Sequence, residues 1–223
     1  HIKDTINEGL LPGSPKRRET MRVNVCRPGF GASCALCCGS HNYQGTEDEI
    51  GDLFRRRRAA ADQFSRAYLL RIMKSSRSPL TGSYYYAGRG FQPETIPPLC
   101  GEGIQCPFVG FVGEEGVVGC LLYPETPGPE LRRDCYQNYR SKIFTCPARE
   151  ILSQEEVLYA ARLTADWYCY SLLIHSTSLL RSLREEYSDP DLLPPGRLES
   201  LRWALEDRVR NDPALHCLDS YFG

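Results

Sequence analysis

Cysteines at two places along the chain have the spacing of metal ligands. The upstream segment CRPGFGASCALCC contains Cys34 and Cys37 as a C-x-x-C pair, with Cys38 directly after it. A C-x-x-C pair lets two sulfurs reach one tetrahedral ion, and near neighbours lower the entropy of assembling the site. The downstream cysteines are more widely spaced, in sequence rich in Gly and Pro. The candidate metal ligands are Cys26, Cys34, Cys37, Cys38, Cys106, Cys120, Cys135 and Cys146.

The adjacent pair Cys37 and Cys38 indicates more than one metal. Neighbouring side chains on an extended or turning backbone point apart, so these two thiols are poorly placed to chelate one ion in the usual geometry. Either one of them bridges two metals, or they serve different sites. Cys106 and Cys146 are each followed by Pro, which fixes the backbone after the ligand. Four upstream and four downstream cysteines are enough for two four-sulfur sites or one binuclear centre.

Metal binding competes with other uses of cysteine. The chain has 11 cysteines among 223 residues, an odd number, and the sequence shows no charged-then-apolar leader. Disulfides need an oxidising compartment, so we expect a reduced, cytoplasmic setting with thiolates held by zinc or iron. An iron–sulfur cluster also accepts four sulfurs. No Ser-His-Asp order or paired-carboxylate motif stands out, so catalytic residues are unassigned and enzyme activity is left open.

The remaining cysteines and two histidines receive separate predictions. Cys169 is expected to pack in the core as a small hydrophobic residue. Cys100 is an alternative to Cys26 as a ligand, and Cys217 is expected in packing or at the surface. His41 follows the cysteine-rich segment and is expected at the surface or behind the ligands, with ligation as the alternative. His175 is expected as a buried, hydrogen-bonded imidazole.

The ordered set of cysteine motifs resembles a known family. Cys34-Ala-Leu-Cys37-Cys38, then CPFVGF at 106–111, then GCLLYPETPGPELRRDC at 119–135, is similar to the CxxCxxCC family of zinc- or iron-chelating domains. The resemblance spans about residues 26–146. Cys26 stands farther from Cys34 than the first cysteine of that pattern, and ETPGPELR is an insertion before Cys135. The resemblance implies metal chelation, and one branch of the family, the flagellin lysine-N-methylase, transfers methyl groups to protein lysine.

Helical periodicity and capping signals outline the elements that must position these cysteines. Thr46 and Glu49 form a capping box that begins an amphipathic helix predicted over 46–74. A second capping box, Ser153 and Glu156, begins a long core helix over 153–186, and a third helix is predicted over 197–210. The four arginines at 55–58 are expected on a solvated helix face with paired carboxylates. Between the helices, we expect a hairpin of 107–112 with 117–123, and a short strand at 84–86.

The sequence therefore predicts an α+β fold, mostly α, with a large irregular cysteine-rich part organised by metal and a small β-hairpin. Residues 1–25 form an irregular arm, 26–149 the metal-binding region, and 150–223 a helical part that packs on it. The net charge of −1 favours no nucleic acid partner, and no membrane span is expected. The leading function is metal binding; a metal-dependent protein-modifying enzyme and a zinc-stabilised module that binds another protein are the alternatives.

Overall fold

The described part of the chain contains most of the predicted ligands. A computed structural model describes residues 23–63, 65, 96–100, 105–106, 108–113, 116–122, 146–212 and 215. The predicted arm up to residue 22, the predicted strand at 84–86, Cys135 and Cys217 lie outside these ranges.

Helix α1, Glu47–Asp62, begins as predicted. Thr46 Oγ1 accepts the Glu49 N–H at 3.3 Å, and Glu49 Oε2 accepts the Thr46 N–H at 2.8 Å, so both halves of the capping box are formed. The prediction of an uninterrupted helix as far as residue 74 is wrong. The last turn tightens, and the N–H of Gln63 bonds to the carbonyls of Ala60 and Ala61, which ends the helix. Residues 66–74 lie outside the described ranges.

The predicted hairpin is confirmed in a shorter form. Strands β1, Val109–Phe111, and β2, Val118–Cys120, pair antiparallel, with Val109 opposite Cys120. This register places Cys106 just before β1, near the end of β2 that carries Cys120, without making the two cysteines direct partners. Helix α1 packs against β1.

The predicted helix over 153–186 is three helices. They are α3, Gln154–Thr164; α4, Trp167–Ile174; and α5, Thr177–Glu186. Ala165 adopts a left-handed conformation, φ 51°, which ends α3, and the carboxylate of Asp166 caps α4 by accepting the Cys169 N–H at 2.6 Å. A short helix precedes them, α2, Pro147–Ile151, and the predicted last helix is confirmed as α6, Pro195–Asn211.

One hydrophobic core joins the cysteine-rich part to the C-terminal helices. The rings of Phe54 on α1, Phe111 on β1 and Trp167 on α4 meet at its centre, with 5.3 Å between the ring centroids of Phe54 and Trp167. Helix α4 is buried along its whole length and contacts α3, α5 and α6. The described chain is thus mostly helical with one two-stranded hairpin, as the sequence predicts. No described helix is both long and apolar enough to span a membrane.

Candidate metal centre

A tight loop brings Cys26 back to Cys34. Gly29, Phe30 and Gly31 all have positive φ, and the Cys34 N–H donates to the Cys26 carbonyl at 3.0 Å. Gly31 is required here because its φ is +76° and a Cβ would lie 2.9 Å from the Ala165 carbonyl oxygen. The loop therefore fits closely against the break between α3 and α4.

Helix α4 fixes the loop from behind. The Tyr170 hydroxyl donates to the Val25 carbonyl at 2.8 Å, and the Ser171 hydroxyl donates to the Ser33 carbonyl at 3.2 Å. Ser33 is fully buried, and its own hydroxyl accepts the Val118 N–H from β2 at 2.7 Å. These buried hydrogen bonds hold the cysteine loop between the helix and the hairpin, so the backbone that carries the thiols is well defined.

Four of the predicted ligands form what we call the cavity group. They share a cavity of about 930 Å³ and come from three separated stretches of chain: Cys26, Cys34, Cys37 and Cys146. Burial raises the pKa of Cys26 to about 11, with contributions from the negative charge that Cys37 and Cys146 would carry as thiolates. Burial is the main cause of the raised pKa of Cys34, and the negative charges that Cys26 and Cys37 would carry as thiolates raise it further. Mutual repulsion of this kind is expected of thiols grouped where a cation can bind.

A second set of predicted ligands, the hairpin group, consists of Cys38, Cys106 and Cys120. The Cys106 N–H donates to the Cys38 carbonyl at 3.0 Å, which joins the end of the cysteine loop to the start of the hairpin. The pKa of Cys38 is raised by its hydrogen bond to Cys37 and by burial, and then by the charges of Cys106 and Cys120 as thiolates. Cys106 is the buried member, whereas Cys38 and Cys120 are partly exposed.

The adjacent cysteines lie at the boundary between the two groups. Leu36–Cys38 is a single 3₁₀ turn that ends at Gly39, where φ is 77°. The Cys38 thiol donates to the Cys37 sulfur, which lowers the pKa of Cys37 and raises that of Cys38. Cys37 faces the cavity group, and Cys38 neighbours Cys106 and Cys120.

His175, at the end of α4, also lines the cavity. Its Nδ1 donates to the Ser171 carbonyl at 2.8 Å, so the neutral ring keeps its lone pair on Nε2, which lies 3.8 Å from Cys146 Sγ. Burial lowers the pKa of His175 and favours that neutral form. A histidine that donates one ring N–H to a carbonyl and presents the other nitrogen to soft donors has the arrangement common in metal ligands. From the sequence alone, His175 is expected only as a buried, hydrogen-bonded imidazole.

Other residues singled out from the sequence are also described. Cys26 lines the cavity, and the backbone N–H and carbonyl of Cys100 bond to the Asn42 side chain at 2.8 and 3.0 Å. Which of these two cysteines is a ligand stays a prediction. His41 is buried, not at the surface, and both its ring nitrogens are occupied by Ser40 Oγ and the Tyr168 carbonyl. Cys169 is buried in the core, as predicted.

No disulfide joins any two of the nine cysteines that the structure describes. Among the described residues, no three Cys, His, Asp or Glu side chains are already gathered around one point as metal ligands. The donor set nevertheless has the right chemistry, because thiolate and imidazole are the ligands that suit zinc and iron.

The comparisons with known proteins identify no relative. No protein-family model, no curated protein and no solved structure matches this chain.

Proposed function

We propose that this protein binds zinc or iron through two thiolate sites, one at the cavity group and one at the hairpin group. The observation that supports this proposal is the division of the predicted ligands at Cys37 and Cys38. Cys37 lies in the cavity with cysteines from other parts of the chain, and Cys38 lies near the two cysteines of the hairpin. Packing alone does not require thiols to be grouped in this way.

The donors of each proposed site differ. The cavity group offers four sulfurs, and His175 Nε2 adds a nitrogen, which is one donor more than a four-coordinate ion needs. The hairpin group offers three described sulfurs, and the resemblance to the CxxCxxCC family makes Cys135, outside the described ranges, the expected fourth. An iron–sulfur cluster would use the same thiolates.

Metal binding in this proposal involves rotation of side chains. The cysteine sulfur moves between staggered positions about one torsion, so thiols that already share a neighbourhood can converge without a change of fold. The high pKa values of Cys26, Cys34 and Cys38 mean that each site must release protons when it binds the ion. Unbridged thiols require a reducing compartment, and we propose the cytoplasm.

Metal content after anaerobic purification tests the proposal. We expect about two metal ions per chain, or iron with inorganic sulfide and a coloured protein. Cys37→Ser combined with His175→Asn, which leaves three donors in the cavity group, should lose the metal of that group, and Cys38→Ser should lose that of the hairpin group. Cys169→Ser, a buried cysteine outside both groups, is the control and should keep both. A wild-type chain without bound metal, or unchanged content in the Cys37→Ser/His175→Asn variant, would show that the ligand assignment is wrong.

The size of the cavity favours a second candidate, a metal-dependent enzyme. A volume of about 930 Å³ beside the thiols leaves space for a small molecule, and Arg149 adds a positive charge to its wall. The resemblance to the flagellin lysine-N-methylase branch points the same way. Turnover of a small substrate that is lost in Cys37→Ser and retained in Cys38→Ser would favour the enzyme over a protein that only holds metal.

A further inference from the structure

Arg57 differs from the other arginines of the run at 55–58. Arg55 pairs with Asp52 at 2.5 Å and Arg58 with Asp62 at 2.9 Å, both at the surface of α1, as the sequence predicts. Arg57 instead points into the protein and is 3% exposed. The prediction of a solvated face is therefore wrong for this arginine. It shares a face with Phe54 and Ala61, three residues before it and four after it, and these are core residues.

Among the described residues, the hydrogen-bond partners of the buried guanidinium are neutral groups. Its Nη1 donates to the Tyr43 hydroxyl at 3.0 Å, to the Val109 carbonyl at 3.1 Å and to the Cys106 carbonyl at 3.3 Å. Its Cζ lies 5.6 and 5.8 Å from the ring centroids of Tyr43 and Phe54. Within the described residues, no carboxylate lies within salt-bridge distance of Arg57, and its Nε has no hydrogen-bond acceptor.

Hydrogen bonds to carbonyls satisfy donors but do not neutralise a charge. A buried cation without an opposite charge is strongly disfavoured, and arginine stays protonated under all ordinary conditions. The structure therefore places a permanent positive charge inside the core, and within the described ranges no carboxylate balances it. An anion next to the guanidinium would offset its desolvation.

The hairpin group has thiols that become anionic when they bind metal, and its backbone contacts Arg57. Arg57 bonds to the carbonyl of Cys106 itself, and its other carbonyl partner, Val109, is directly opposite Cys120 in the hairpin. The Cys106 N–H reaches back to Cys38. A zinc ion held by four thiolates has a net charge of −2, and thiolate-held iron–sulfur centres are also anionic.

Building on the proposed function, we infer that Arg57 is the counter-charge of the metal centre at the hairpin group. This centre is then an anionic, all-thiolate one, whereas the cavity site, with His175 available, is less negative. Arg57 touches the backbone of one ligand residue and acts on the metal through its charge, so it is a positioning and tuning residue.

The test measures zinc affinity at the hairpin group alone. In a Cys34→Ser/Cys146→Ser background, which leaves the cavity group only two sulfurs and the His175 nitrogen, competition with a chelator at fixed pH reports the remaining site. We expect Arg57→Met to weaken zinc binding there by about tenfold or more, since an adjacent charge in a partly buried site is worth on that order. Arg57→Lys, which keeps the charge but not the planar donors, should bind within about threefold of the background.

Two controls separate charge from structure. Arg56→Met removes an exposed arginine of the same run and should leave zinc affinity unchanged. In a Cys120→Ser background, where the cavity group remains, Arg57→Met should also leave affinity unchanged. Equal weakening of both sites by Arg57→Met, or a loss in Arg57→Lys as large as in Arg57→Met, would overturn the inference in favour of a structural role. If Arg57→Met does not fold, the Lys variant alone decides.

The outcomes also distinguish this inference from the proposed function. If the wild-type chain binds no zinc or iron, the proposed function fails. If it binds metal at both groups but Arg57→Met and Arg56→Met have the same affinity at the hairpin group, only the role of Arg57 fails.

Discussion

The tautomer of His175 is set by the backbone behind it. Because Nδ1 is committed to the Ser171 carbonyl, Nε2 faces Cys146 with its lone pair, and the same helix end that carries Ser171 also holds the cysteine loop. No feature of the sequence around His175 distinguishes it from a core imidazole, since the relation to Cys146 spans 29 residues and depends on how α2 and α4 meet.

Replacing His175 by Asn tests its role as a nitrogen ligand. Asn keeps a donor for the Ser171 carbonyl and removes Nε2. We expect cadmium-113 NMR of the cadmium-loaded protein to show a shift for the cavity site only, with affinity there reduced by about 10- to 100-fold. The hairpin resonance serves as the internal control. Two unchanged resonances would exclude His175 from the coordination sphere.

At the scale of secondary structure, three helices meet around one arginine. Arg202 on α6 reaches the cap of α4 at Asp166, 2.5 Å away, and Glu47 in the first turn of α1, 3.8 Å away. Burial and the negative charge of Asp166 raise the pKa of Glu47 to about 7, against the opposing effect of Arg202, while Asp48 and Glu206 add smaller repulsion. Two carboxylates thus compete for one cation where α1, α4 and α6 converge.

This competition predicts a pH dependence of stability. Folding raises the pKa of Glu47 from its ordinary value of 4.5, so the folded chain binds this proton more tightly than the unfolded chain. Its contribution is therefore greatest at low pH and is lost as the pH rises from about 4.5 to about 7. We expect the unfolding free energy of Glu47→Gln minus that of wild type, both measured by urea denaturation, to increase by about 1–3 kcal/mol between pH 4.5 and pH 7.

The matched control is Glu199, an exposed carboxylate on α6 that is not among the charges acting on Glu47. Because acid also protonates other carboxylates and releases bound metal in every variant, the informative quantity is the difference from wild type at each pH. Glu199→Gln should keep the wild-type pH profile. A constant difference between Glu47→Gln and wild type from pH 4.5 to 7 would contradict the predicted coupling.

Local signals predicted much of this architecture from the sequence. The capping boxes that start at Thr46 and Ser153 each have a hydroxyl and, three residues later, a carboxylate. Helices α1 and α3 begin at these boxes. Apolar runs around two glycines predicted the hairpin. The break after α3 was not predictable in the same way, because Ala165 adopts a left-handed conformation that tertiary packing imposes. The cap at Asp166 was the available signal for a new helix.

The candidate site was predictable as a set of residue types but not as two groups. C-x-x-C spacing and the adjacent Cys37 and Cys38 indicated metal and more than one site. Which downstream cysteine lies near which upstream one depends on contacts between distant segments, and no local pattern contains that information. The buried position of Arg57 could have been predicted, because this residue lies at helical spacing from the apolar residues Phe54 and Ala61.

At the scale of the whole molecule, the two groups differ in access to solvent. The cavity group includes Cys26, which as a whole residue is exposed although its thiol is largely desolvated, and it opens into the large cavity. The hairpin group contains the buried Cys106 and lies against α1. With His175 present, the cavity group also has a donor to spare. An ion there can exchange one ligand without leaving the protein.

This difference predicts that metal leaves in two phases. When the loaded protein is mixed with excess chelator, the cavity site should release its ion first and the hairpin site at least about tenfold more slowly, since access controls ligand exchange. Cys37→Ser combined with His175→Asn should remove the fast phase, and Cys38→Ser the slow one. A single phase in the wild-type protein, with both ions released together, would contradict a difference in access.

The hydrogen bonds that hold the cysteine loop have a consequence for synthesis on the ribosome. Tyr170 is 145 residues from its partner Val25, and Ser171 is 138 residues from Ser33. The nascent chain therefore exposes Cys26, Cys34, Cys37 and Cys38 long before α4 emerges to hold them, and Cys146 also arrives late. During that interval, the thiols are open to any passing ion or oxidant. If the proposed sites bind metal, we expect correct loading to follow the emergence of Cys146 and α4 from the ribosome.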